Sequence, residues 1–286
     1  DEALRLDRLD PSVHVAQAQL LRRQGRTDAV EAALRQAVSL APNDWRVVQQ
    51  LGEFYLDNAR WPEAEAQYRH ALELAPDNPR AHNNLGLVYR GEDHLAEAAA
   101  SFQKAIDLEP AFGRVRNLGM VLAEAGRLPE AATALQKAIE MRPNQYRAWG
   151  LLADVYAQQQ RPADEVQKTY LKAIELGNAV RQETPRDEYL LADLGGYYAA
   201  LGRERDALPL LAQAAAIGEA VPEVLFQVAV GYERLHHRDE ALRWLARART
   251  GGYAAGAIAR NPQLASLRAD PRYGATVAMS PASPRP

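Results

Sequence analysis

The most constraining feature of this 286-residue sequence is a small residue that returns at a nearly constant interval. It is glycine or alanine, in motifs such as LGEFY at 51–55, LGLVY at 85–89 and LGGYY at 194–198. The members of this column are Ala18, Gly52, Gly86, Gly119, Ala153, Gly195 and Ala229. The intervals between them are 34, 34, 33, 34, 42 and 34 residues. A period of this length indicates repeated supersecondary units that stack on one another.

Other columns keep the same period. Three residues after the small residue come Leu21, Tyr55, Tyr89, Leu122, Tyr156, Tyr198 and Tyr232. An alanine column follows at Ala37, Ala71, Ala105, Ala138, Ala173, Ala214 and Ala248. Within each repeat, apolar residues recur at helical spacing in two segments, and β-branched residues are sparse. Each repeat is therefore predicted to be a pair of helices that pack closely at the small residues.

The second repeat carries the fullest version of the pattern. It contains Leu51, Gly52, Tyr55, Ala64, Tyr68, Ala71 and Pro76. These residues resemble the tetratricopeptide repeat, a helix–turn–helix unit of 34 residues. The resemblance implies an all-α, right-handed superhelical solenoid of about seven repeats. Their boundaries are predicted at about 11–44, 45–78, 79–111, 112–145, 146–187, 188–221 and 222–250.

The 42-residue interval and the two ends of the chain need separate interpretations. Seven of the eight extra residues lie between Ala173 and Pro185 and equal two helical turns, which predicts an elongated second helix in repeat five. Residues 1–10 fit the end of a preceding repeat helix, with Ala3 in the phase of the alanine column. Residues 251–275 are predicted to be a C-terminal cap, since a solenoid must cover its last apolar face. Residues 276–286 are predicted to be a disordered tail.

Composition excludes several classes of function. The chain has no cysteine, a formal charge of −3 and no basic stripe, so thiolate chemistry and nucleic-acid binding are not expected. No apolar run approaches the roughly 20 residues of a membrane helix, so direct membrane insertion is not expected either. Motifs of hydrolases, kinases and zinc enzymes are missing from the sequence. We expect a soluble protein with no enzymatic activity, cofactor or metal, and both cytoplasm and periplasm fit.

The resemblance implies that the first helices of the repeats line a groove for partner peptides. The polar residues at such positions are Arg80, Asn83, Asn84, Arg116, Asn117, Arg147 and Asp154. Guanidinium groups bind carboxylates in bidentate fashion, and asparagine amides can hold an extended backbone. The predicted partner is a protein or peptide with acidic groups, although asparagine is also common at this position in family members without known binding. A second, aromatic candidate consists of Tyr189, Tyr197 and Phe226. Tyr189 and Phe226 lie at groove positions and are predicted to be exposed anchors, with core or inter-repeat packing as the alternative.

Three functions remain open at the level of sequence. The first is a protein–protein interaction scaffold in bacterial signalling or complex assembly. The second rests on the cap, the segment at 173–211 and the repeats, which together resemble the C-terminal region of bacterial serine/threonine protein kinases. That resemblance implies a sensory or substrate-docking arm, with the catalytic domain outside this chain. The third is a solenoid that associates with itself through its ends.

Overall fold

The computed structural model describes residues 10–279, and this part of the chain is built from helices and turns. Between these residues, fourteen long helices form seven helix–turn–helix pairs, which confirms the predicted all-α repeat fold. The first helices are α1 Pro11–Arg23, α3 Trp45–Asp57, α5 Pro79–Gly91, α7 Phe112–Glu124, α9 Tyr146–Gln158, α11 Glu188–Ala200 and α13 Pro222–Arg234. The second helices are α2 Thr27–Leu40, α4 Trp61–Leu74, α6 Leu95–Leu108, α8 Leu128–Met141, α10 Ala163–Glu183, α12 Glu204–Ile217 and α14 Arg238–Thr250.

The chain divides into two compact units, which we call the N-terminal unit (Asp1–Val121) and the C-terminal unit (Leu122–Pro286). The core of the first contains Leu51, Tyr55 and Tyr68. The core of the second contains Leu211 and Leu245, together with side chains of the C-terminal cap. Each unit therefore has its own apolar interior, as stacked repeats require.

Short polar residues at the inter-repeat turns determine where several first helices begin. The Asp44 carboxylate accepts a hydrogen bond from the backbone N–H of Arg46 at 2.9 Å. Asn78 accepts one from Arg80 at 3.0 Å, and Asp187 accepts one from Leu190 at 2.9 Å. These N-caps satisfy backbone donors that have no partner inside the helix.

The small-residue column marks close helix–helix contact. A Cβ atom added at Gly52 would lie 3.2 Å from the Tyr68 ring, and one at Gly86 would lie 2.8 Å from the Phe102 ring. At Gly195 the nearest atom, from Leu211, would be 2.7 Å away. At Gly86 and Gly195 even the methyl group of alanine would require a neighbouring side chain to shift, and larger residues would force the two helices of a repeat apart.

The column three residues after the small residue, which we call the tyrosine column, also joins neighbouring repeats by hydrogen bonds. In four repeats the hydroxyl accepts from a side chain twenty residues earlier, on the second helix of the preceding repeat. The pairs are Arg35 to Tyr55 at 3.1 Å, Arg69 to Tyr89 at 3.1 Å, Gln136 to Tyr156 at 2.8 Å and Asn178 to Tyr198 at 3.0 Å. The column therefore fixes the register between repeats as well as filling the space between helices.

The predicted elongated helix is present. Helix α10 has 21 residues, whereas the other second helices have 13 or 14. Its added turns pack against the next repeat, since a Cβ at Gly177 would lie 2.8 Å from Leu194 and Asn178 bonds to Tyr198. The extra length thus belongs to the repeat array and is not a linker.

After α14 the chain folds into α15 (Ala255–Arg260), two 3-10 turns and α16 (Tyr273–Val277). Ile258, Leu264, Leu267 and Tyr273 are buried, as the predicted cap requires. The prediction of disorder from residue 276 is wrong for Thr276 and Val277, because α16 includes both. Residues 1–9 and 280–286, where the earlier repeat helix and most of the tail were predicted, lie outside the described residues.

Candidate functional site

In the N-terminal unit, the side-chain amides of α5 and α7 form a continuous chain of hydrogen bonds. Asn117 Nδ2 donates to Asn83 Oδ1 at 3.3 Å, and Asn83 Nδ2 donates to Asn84 Oδ1 at 3.1 Å. The last member, Asn84, donates to the Tyr68 hydroxyl at 3.1 Å. Three of the predicted site residues are therefore brought together, and they join two neighbouring first helices.

The amide chain lies partly in the interior. Asn84 and Asn117 are buried, whereas Asn83 between them is only partly buried. Burial raises the pKa of Tyr68, so its hydroxyl stays protonated and can accept from Asn84 while keeping its own proton. Of the predicted asparagines, Asn83 is the one whose amide lies nearest to solvent.

Two arginines flank this amide chain. Arg80 pairs with Glu53 of α3 at 2.8 Å, with 65% of its side chain exposed. Arg116 lies over the Phe112 ring at 5.7 Å and donates to Asn117 Oδ1 at 3.2 Å. The surface formed by Arg80, Asn83, Asn84, Arg116 and Asn117 is called the amide–arginine surface below.

In the C-terminal unit, Arg147 is held by an internal carboxylate. Its Nε donates to Asp193 Oδ2 at 2.8 Å, and the Tyr146 hydroxyl donates to the same oxygen at 3.1 Å. Burial raises the pKa of Asp193, and the neighbouring Arg147 opposes part of that rise. Tyr189 is 40% exposed and lies 5.8 Å from the guanidinium of Arg147. Arg147 and Tyr189 thus meet, but Asp193 already neutralises the cation.

Asp154 is the centre of a second internal cluster. Its Oδ1 accepts from the Tyr170 hydroxyl of α10 and from the Arg234 guanidinium of α13. Arg234 also donates to the backbone oxygen of Gly196 at 2.8 Å. One arginine therefore connects the first helices of repeats five, six and seven.

The prediction that Phe226 is an exposed anchor is wrong. Its side chain is 3% exposed and stacks on Tyr253 of the cap, with ring centroids 4.3 Å apart. The cap follows the last repeat directly and covers this position.

Four residues that complete these clusters were not predicted from the sequence: Glu53, Asp193, Tyr170 and Arg234. Within residues 10–279, no group of three or more acidic or histidine side chains could hold a metal ion. Across the same residues, no helix combines the length and apolar character needed to cross a membrane.

Comparison with solved structures shows the same fold. A tetratricopeptide repeat protein from Parabacteroides merdae ATCC 43184 is 16% identical and covers 91% of this chain and 99% of its own, with a TM-score of 0.61. MamA from Desulfovibrio magneticus RS-1 is 17% identical (59% and 96% covered, TM-score 0.56). PilW, a type IV pilus biogenesis factor, is 20% identical (72% and 92% covered, TM-score 0.56).

Comparison of sequences gives the family. The search of curated proteins finds no match. Family models described as tetratricopeptide repeats match residues 21–86, 79–112 and 116–180, which together are more than half of the chain. No link to protein kinases is among these findings. With the paired helices, the small-residue contacts and the tyrosine column, the matches establish that the chain belongs to the tetratricopeptide repeat family.

Proposed function

We propose that the protein is a non-catalytic scaffold that binds an acidic, extended segment of a partner protein on the amide–arginine surface. Repeat solenoids use their extended faces for binding, and this surface joins two consecutive first helices. The observation that carries the proposal is the bond from Asn117 to Asn83, which links α7 to α5 at 3.3 Å. It holds polar groups of two repeats in a fixed arrangement before any partner arrives.

The partly buried amide of Asn83 suits a peptide backbone. An amide side chain offers both a donor and an acceptor, so it can bond to an extended chain from one edge. All three asparagines already bond within the protein, which reduces the side-chain entropy that binding would otherwise cost. The two bonds of Asn83 use one of its two N–H groups and one of the two lone pairs of its oxygen, and Asn83 is the least buried of the three. We therefore assign Asn84 and Asn117 a positioning role and Asn83 a contact role.

The charge of Arg80 suits a carboxylate on the partner. The pair with Glu53 is exposed on the arginine side, and pairs of this kind contribute about 0–1 kcal/mol. A partner carboxylate can replace Glu53 or share the guanidinium with it at little cost. Arg147 differs because its side chain is less exposed, 44% against 65% for Arg80, and because it lies against the rings of Tyr146 and Tyr189. The proposal therefore relies on Arg80 and Arg116 and not on Arg147.

A displayed library of random 12-residue peptides, selected on the immobilised full chain, tests the proposal. We expect the enriched peptides to carry Asp or Glu and to lose binding to the Arg80→Glu, Arg116→Glu variant. The matched control is Lys104→Glu, Lys137→Glu, which makes the same change in charge at exposed positions on second helices. Equal loss in both variants, or selected peptides without acidic residues, would contradict the assignment of this surface.

Self-association is a second candidate, favoured by one observation on α1. Leu20 is 57% exposed, although the equivalent residue of the next repeat, Phe54, is only 3% exposed. Val13 lies on the same face of α1 and is exposed as well. Sedimentation at two concentrations is the test, with Leu20→Glu as the variant. A monomer at both concentrations for the unchanged protein would remove this candidate.

A further inference from the structure

The C-terminal unit contains a cavity of about 340 Å³ that none of the features above explains. It lies at the last turns of α9, α11 and α13, beside α10 and the first 3-10 turn of the cap. The polar or large residues that line it are Asp154, Gln158, Val166, Tyr170, Arg234 and Gln263. Its volume is at the lower end of ligand pockets, which suits a single long side chain and not a large molecule.

The carboxylate of Asp154 gives the cavity an available acceptor. Both internal donors, the Tyr170 hydroxyl and the Arg234 guanidinium, bond to Oδ1. Among the described residues no hydrogen bond reaches Oδ2, and Asp154 is a lining residue. A carboxylate oxygen without a protein donor is a site for a hydrogen-bond donor from outside.

The surrounding charges favour a cation over an anion. Helices α9, α11 and α13 end at Gln158, Ala200 and Arg234, so the negative ends of three helix dipoles meet at the cavity. The charge of Arg234 is opposed by Asp154 and by the backbone oxygen of Gly196. Asp154 and Arg234 offset one another, and the three carboxyl ends outnumber the one positive helix end at the cavity, the start of α10 beside Val166. The remaining field repels a carboxylate and attracts an ammonium group.

The walls of the cavity are apolar. Ala157, Val166, Ala199, Ala200 and Pro262 line it. Long cationic side chains bury their methylene groups along such surfaces while the charged end finds a polar partner. The combination therefore suits a flexible alkyl chain that ends in a positive charge.

We propose that this cavity binds a lysine side chain of a partner protein, with the ammonium group bonded to Asp154 Oδ2. The inference rests on the proposed scaffold function and adds a second, oppositely charged contact to it. The methylene chain lies against Ala157, Val166 and Pro262. Gln158 and Gln263 at the cavity offer amide oxygens to the remaining ammonium protons.

The first test uses small probes and the full chain. Amide resonances of the isotope-labelled protein are followed while Nα-acetyl-lysine methylamide is added, and then Nα-acetyl-norleucine methylamide, which has a similar stem without the charge. We expect the lysine probe to shift the amides of Asp154, Gln158 and Ala200. We expect the norleucine probe to bind at least about fivefold more weakly, because it lacks the charged hydrogen bonds. Shifts that are equal for both probes, or absent from these residues, would overturn the proposal.

Substitutions at Gln158 test whether the cavity prefers a cation or an anion. Gln158→Glu should strengthen binding of the lysine probe about two- to fivefold, and Gln158→Lys should weaken it by a similar factor. Gln158 is the last residue of α9, where a lysine is compatible with the helix dipole, so the weakened variant should still fold. The reverse order of affinities would show that the cavity prefers an anion and would refute the lysine assignment.

The proposed acidic-peptide site and the proposed lysine site can be tested independently of each other. Arg80→Glu, Arg116→Glu should leave binding of the lysine probe unchanged, because neither residue lines this cavity. Gln158→Lys should leave binding of the acidic library peptides unchanged. If the lysine probe binds but no acidic peptide is selected, the result supports the lysine site in the cavity and contradicts the assignment of the amide–arginine surface as a binding site.

Discussion

Arg249 donates a hydrogen bond from Nε to the carbonyl oxygen of Val277 at 3.0 Å, and so ties the last repeat to the end of the cap. The same buried guanidinium donates to the carbonyl oxygens of Tyr253 and Met279. In the six earlier repeats the equivalent residue is apolar. These residues are Val38, Leu72, Ile106, Ile139, Ile174 and Ala215. The last repeat thus replaces an apolar contact to a following repeat with a cation that holds main-chain oxygens.

Arg249→Met should loosen the cap while the rest of the chain stays folded. We expect a loss of about 1–3 kcal/mol in unfolding free energy, because buried carbonyl groups lose their donor. Hydrogen exchange should become faster in α15 and α16 and stay unchanged in α1 to α6. The control is Arg247→Met, since Arg247 pairs with Glu219 on the exposed surface and should contribute about 0–1 kcal/mol. Unchanged exchange in the cap would contradict the role of Arg249.

The turn inside each repeat contains one residue with left-handed backbone, seven positions after the small residue. The members are Gly25, Ala59, Asp93, Gly126, Gln160, Gly202 and His236, with φ between 54° and 74°. Glycine adopts this conformation without steric cost, whereas alanine pays roughly 1 kcal/mol or more. The left-handed conformation required at this position explains why glycine recurs in these turns and why the other residues there have a strained backbone.

Ala59→Gly should therefore stabilise the protein by about 0.5–1 kcal/mol, as measured by denaturant unfolding. Gly126→Ala should destabilise it by about 1 kcal/mol. A Cβ at Gly126 would have no atom within 4 Å, so only backbone conformation can produce this loss. Changes of the same sign in the two variants would show that the left-handed turn does not control stability here.

The mostly buried carboxylate of Asp193 predicts a dependence of stability on pH. Burial raises its pKa in the folded protein, so the folded state holds the proton more tightly than the unfolded state. The stability from this group is present below the unfolded pKa near about 4 and is lost as pH rises through the folded pKa. The unfolding free energy should thus fall from pH 4 to pH 7 relative to that of Asp193→Asn.

Arg147 provides the control for that measurement. In an Arg147→Gln background the fall should become steeper, because the cation that lowers the pKa of Asp193 has been removed. A rise in relative stability between pH 4 and pH 7 would mean that attraction to Arg147 outweighs the burial of Asp193.

The sequence was sufficient for the architecture because each repeat meets the same packing requirement. The spacing of Gly52, Gly86 and Gly195 identified the helix contacts, and the seven extra residues before Pro185 gave the length of α10. The cap was also predicted, since an apolar end face has to be covered. These features depend on residues within one repeat or in adjacent repeats.

The candidate site was predicted only in part, because its contacts join residues that are far apart in the sequence. Asp154 and Arg234 are 80 residues apart, and Arg147 and Asp193 are 46 apart. Repeat columns show which residues share a face, but they do not show which opposite charge each one meets. Phe226 illustrates the same limit, because the ring that covers it, Tyr253, belongs to the cap and not to a repeat.

Gly150 provides the sharpest test of packing in the C-terminal unit. It lies inside α9, and a Cβ there would overlap the hydroxyl end of Tyr197 on the next first helix. Tyr197 is buried and has little space to move, so we expect Gly150→Ala to lower the unfolding free energy by about 1–3 kcal/mol despite the better helix propensity of alanine.

The control is Gly113→Ala in α7, where a Cβ would meet no atom within 4 Å. That change should stabilise by up to about 1 kcal/mol, because only propensity acts. Thermal or denaturant unfolding of both variants measures the difference, and recovery of stability in Gly150→Ala, Tyr197→Leu would assign the loss to this one contact. If Gly150→Ala is as stable as Gly113→Ala, the two first helices are not packed as closely as the structure places them.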